Sequence, residues 1–69
     1  MTLEEQRFRE EATRIANLTA SDREAALDVH RRIADDTRLS EATRNHARTV
    51  GETLERLVAE FLTKRKHSS

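Results

Sequence analysis

In the last third of the chain Ala47, Val50, Leu54, Leu57 and Phe61 recur at alternating spacings of three and four, and there is no proline anywhere in the sequence. With 3.6 residues per helical turn, those steps place the five side chains along one face of a helix lying lengthwise against other helices. Val58 and Leu62 widen the line into a stripe at its C-terminal end. The pattern therefore commits this stretch to a long amphipathic helix with a packing surface. It specifies no chemistry.

The rest of the chain must supply what that surface packs against, and there is little of it. Sixty-nine residues allow one domain, here expected over 1–66, with a tail at 67–69 expected to be disordered. A chain this short buries a smaller share of its surface than an average domain, so its core is expected to be thin. Small domains commonly add a disulfide, a metal or a second subunit. Without cysteine the first is excluded, and association is the remaining common device. The cysteine-free composition and the acidic start, Met1 to Gln6, which lacks the basic and apolar runs of a secretory signal, lead us to expect a cytoplasmic protein. No run approaches the length of a membrane span.

Charge is abundant but balanced: 38 % of residues are charged, and 13 Lys/Arg cancel 13 Asp/Glu. A neutral chain is a poor general coat for nucleic acid. The balance conceals a division, since residues 1–36 hold six Arg against nine Asp/Glu while residues 37–69 hold seven Lys/Arg against four Glu. Opposite halves favour folding of one onto the other, or head-to-tail contact between copies.

Three helices and two short joints are expected. Thr2 with Glu5 forms a capping box that opens the first helix, which runs to about Leu18 and buries Phe8, Ala12 and Ile15, with Leu18 at the edge. Ser21 with Glu24 forms a second box, opening a helix from Asp22 to about Asp36. This helix carries two apolar lines, Ala26-Val29-Ile33 and Leu27-Ala34, about 100° apart, and two lines imply two neighbours. Ser40 caps the third helix, which reaches about Lys66, with Glu41 in its first turn and Lys64-Arg65-Lys66-His67 at its end, both complementing the helix dipole. The fold class is thus all-α, an up-down-up subunit of three helices.

The third helix is disproportionate, at about 39 Å against about 25 Å for either of the others. In a bundle of three its distal turns would overhang, and they carry Leu54, Leu57, Val58, Phe61 and Leu62. The expected solution is a homodimer in which the long helices pack antiparallel through Val50, Leu54, Leu57, Val58, Phe61 and Leu62. Another protein's amphipathic helix could occupy the same residues. Gly51, the single glycine, lies next to this surface and is expected to permit close approach of a second helix, or else to bend its own.

No set of residues calls for catalysis. There is no nucleophilic cysteine, no Gly-rich phosphate loop and no recognisable Ser/His/Asp spacing. His30, between the two apolar lines, is expected to be a partly buried, hydrogen-bonded imidazole. Neither Glu-x-x-His nor His-x-x-x-His occurs, so His30, His46 and His67 are not expected to bind metal, and no cofactor is implied. The pair Asp35-Asp36 is expected to be solvated or held by a nearby arginine. The expected function is a non-enzymatic protein-interaction or regulatory module. The alternative is a dimeric helix-turn-helix-like DNA binder, with Arg38, Arg44, Asn45 and Arg48, next to His46, presented near the start of the third helix. Against it stand the neutral charge, the absence of glycine from the turn and the acidic Glu41, Glu52 and Glu55 on the same helix. Arg48 with Glu52 and Arg56 with Glu60 are spaced to form i,i+4 ion pairs instead.

Overall fold

A computed structural model describes residues 2–67. Among these residues the chain forms three helices, α1 (Leu3–Ala16), α2 (Ala20–Asp35) and α3 (Glu41–His67), and no strands. The all-α expectation holds. α3 extends one residue past its expected end, into the stretch expected to be disordered; residues 68–69 of that stretch lie outside the described residues.

Each start is fixed by a hydroxyl. The Thr2 Oγ1 accepts the Glu5 N–H at 3.1 Å, and the Ser40 Oγ accepts the Thr43 N–H at 3.2 Å, both as expected. α2 begins earlier than expected, because Thr19 is the cap: its Oγ1 accepts the Asp22 N–H at 3.2 Å. Thr19 with Asp22 offers the same hydroxyl-and-acid arrangement as Ser21 with Glu24, two residues sooner, and leaves Ser21 inside the first turn.

The joint from α1 to α2 closes without glycine because two arginines take carbonyls there, one in the joint and one at the last residue of α1. The Arg23 Nη2 donates to the Leu18 carbonyl at 3.1 Å, and the Arg65 Nη1 donates to the Ala16 carbonyl at 3.1 Å. A cation at a helix C-terminus also complements the dipole. Arg65 lies near the end of α3 and bonds the Asn17 side chain as well, so the C-terminal end of α3 is tied to the C-terminal end of α1. The second joint is held by Asp36, whose carboxylate accepts the Arg38 N–H and Nε–H at 3.0 Å each and the Nη2 at 2.9 Å.

These ties set the topology. α1 runs parallel to α3: Phe8 lies level with Val50 and Thr53, and Ala16 lies level with Arg65. α2 runs antiparallel to α3, with Ala34 beside Ala47, His30 against Gly51 and Arg31 bonded to Glu55. Both pack on α3 and touch each other little. At about 100° per residue, the α1-facing Val50, Thr53 and Leu57 lie about 120° round α3 from the α2-facing Ala47, Gly51 and Glu55. The arrangement is a V that straddles α3, closed at the first joint and open at the other end.

The core follows the line between the two arms. Ala12, Ile15, Ala16, Leu54 and Val58 form its buried cluster, with Phe8, Ala26, Leu27, Val50, Leu57, Phe61 and Leu62 packed around it but only partly covered. Ile15 and Leu54 are the large side chains buried almost completely. The radius of gyration, 13.1 Å, exceeds the roughly 11 Å of a compact domain this long, as an open V requires.

Candidate interaction surface

The expected α3 interface divides into two groups. Leu54 and Val58 are each 2 % exposed within the single chain, so they are core and cannot meet a second subunit. α1 is set toward the C-terminal end of α3 by Arg65, and so it covers Leu54 and Val58 in the turns expected to overhang. Val50, Leu57, Phe61 and Leu62 remain half-buried at the margins of the core.

α2 departs from expectation in the opposite sense. Its Leu27-Ala34 line packs toward α3, with Ala34 buried, but the Ala26-Val29-Ile33 line has no full cover. Val29 is 52 % exposed, whereas Ala26 and Ile33 are half-buried. The second neighbour implied by two apolar lines would be α1, and the opening of the V takes α1 away. Among the described residues Leu3 and Leu39 are the other exposed large apolar side chains, one in the first turn of α1 and one in the second joint.

Gly51 has the role of permitting close approach. A Cβ there would sit 3.0 Å from the His30 Cβ, and α3 continues unbroken through the position. With Ala34 and Ala47 it makes a contact of small residues between α2 and α3, which lets the two backbones draw near. His30 is half-buried there, as expected, but its ring makes no hydrogen bond with the described residues. On the open side of the V, Phe8, Val50 and Leu54 floor a groove of about 380 Å³ edged by Glu4, Glu11, His30 and His46. Among the described residues no three His or carboxylate groups converge to hold a metal ion.

The residues of the DNA-binding alternative do not form one free surface. Arg38 is engaged by Asp36, and the Arg48 Nη1 donates to the Asn45 Oδ1 at 3.0 Å. Arg44 is half-buried with its Nε enclosed and lacking a hydrogen-bond partner. α2 and α3 lie side by side as an antiparallel hairpin, whereas a helix-turn-helix crosses its two helices at about 90–120°. The spaced pairs Arg48–Glu52 and Arg56–Glu60 do not form among the described residues, and Arg48 turns to Asn45. Charge is instead neutralised locally, in Arg14–Glu11, Arg32–Asp28 and Arg38–Asp36. The Arg31–Glu55 pair joins the acidic half to the basic half, yet with the signs reversed from the net charges of those halves.

Among the described residues two carboxylates are shifted. The Arg14 guanidinium bonded to Glu11 lowers that carboxyl's pKa. The side chain of Arg38, and then its backbone N–H, lower that of Asp36. Both are turn and helix-surface devices: Glu11 stands at the edge of the groove on α1, and Asp36 lies in the second joint.

The fold and the surface define a small open three-helix protein with an apolar line on α2 that is only partly covered. Compared with family models, curated proteins and solved structures, the chain matches none. No helix of the described residues is long and apolar enough to cross a membrane.

Proposed function

We propose that this chain is a small non-enzymatic helical interaction module that works as a self-associating subunit. The observation that carries the reading is the unfinished burial: Val29 stands 52 % exposed in the middle of a helix while Phe8, Val50, Leu57, Phe61 and Leu62 are only partly covered. A thin core gains most from a further helix laid over such residues, since each large apolar side chain fully buried stabilises by about 1.5–3 kcal/mol. In this reading α3 is the spine on which each subunit is built, and the contact surface is drawn from the exposed face of α2 and the partly covered margins of α3. The cytoplasm, where cysteine-free chains are at home, is the proposed location.

Light scattering with size exclusion tests the reading. A mass near 16 kDa, twice the 8.0 kDa chain, is expected at about 10 μM and above. A mass near 8.0 kDa throughout a concentration series would remove self-association from the account.

A further inference from the structure

We infer that the outward line of α2 is the docking surface for a second copy of the chain, paired antiparallel with its own α2. The inference rests on the self-association reading and adds a surface and a register to it. Arg32, Ala25, Val29 and Asp22 follow one another round an arc of about 80° on α2, with Ile33 and the core-packed Ala26 beyond Asp22. Asp22, Ala25, Val29 and Arg32 are exposed and α3 covers the other side of the helix, so this narrow arc is open to solvent, whereas Ala26 and Ile33 are half-buried.

The arc is complementary to itself when reversed. A two-fold axis level with Leu27 sets Ala25 of each copy opposite Val29 of the other, a small residue against a large one, twice. The same operation sets Asp22 opposite Arg32, also twice. The Asp22 carboxylate has no ion-pair partner among the described residues, and Arg32, 82 % exposed, commits only its Nε to Asp28 and keeps both terminal nitrogens for another acceptor. Parallel pairing of the two helices would set Asp22 against Asp22 and Arg32 against Arg32, so the charges select the antiparallel arrangement. Ala25, next to the axis in both copies, lets the helices approach closely.

Val29→Arg places a charge at the centre of this contact but leaves the subunit's own core untouched. The expected result is a chain that keeps its helical circular dichroism and has the monomer mass at concentrations where the unmodified chain is a dimer. A second measurement mixes Asp22→Lys with Arg32→Glu. Each variant alone meets two like-charge pairs in a homodimer, whereas the mixture offers two opposite-charge pairs. Native mass spectrometry of the mixture should show the heterodimer favoured about tenfold over the statistical proportion at low salt, declining as salt is added. A dimeric Val29→Arg chain, or a statistical mixture of charge variants that still dimerise, overturns this surface while leaving self-association standing. A monomeric unmodified chain overturns both.

Discussion

Leu54 on α3 is 2 % exposed and Val29 on α2 is 52 % exposed, although each lies mid-helix on an apolar line. The difference comes from α1. Tied by Arg65 to the end of α3 and in little contact with α2, α1 lies along the α3 line and leaves Val29 exposed on the outer α2 line. Three helices offer three mutual contacts, and this chain uses two of them fully. A packing surface read from spacing thus says that something must cover it, whereas the register and direction of the neighbouring helices decide whether the cover comes from within.

The comparison is broken most directly by truncation. Leu54→Ala should cost about 2–5 kcal/mol in denaturant unfolding, because it opens a cavity between both arms and the spine. Val29→Ala, measured where the chain is dilute and single, should change stability by less than about 0.5 kcal/mol. Equal losses at the two positions would mean that Val29 is covered within the subunit.

Gly51→Leu sharpens the account of the α2–α3 side. Leucine improves helix propensity by nearly 1 kcal/mol, but a Cβ at 3.0 Å from the His30 Cβ already requires that neighbour to give way, and the larger side chain must push α2 outward. Overfilling costs about 1–3 kcal/mol, so a lower melting temperature is expected. A higher one would show that the contact yields easily.

The smallest effect concerns the acidic turn groups. Asp36 and Glu11 have pKa values depressed in the folded chain by Arg38 and Arg14, so their contribution is fully present above the ordinary carboxylate range and is lost as pH falls through their lowered values. Because both pairs lie at the surface, the decline should be shallow, and Asp36→Asn should flatten it in unfolding titrations taken from about pH 6 to about pH 3. A decline of the same steepness in Asp36→Asn would assign the sensitivity elsewhere.

Much of the fold was legible because local chemistry set it. Thr2 and Ser40 cap where hydroxyls precede acidic turns, and Phe8, Ala12, Ile15 and Leu54 lie on the faces their periodicity required. The single glycine marked the close helix contact. What the sequence left open was relative placement: two arginines far apart in the chain, Arg23 and Arg65, close the first joint and fix the stagger of α1 on α3. No local pattern distinguishes an arginine that will reach a helix end from one that stays in solvent. For the same reason Leu54 and Val58 looked like interface, and Val29 looked like core.

The dependence of melting temperature on protein concentration tests the central claim, that the subunit is completed by a second copy laid over the outer face of α2. A dimer that unfolds to two single chains melts higher as concentration rises, because mass action favours the associated state. The unmodified chain should therefore show a rising melting temperature across a hundredfold concentration range, and Val29→Arg should show a flat one. A flat response in the unmodified chain would contradict the account.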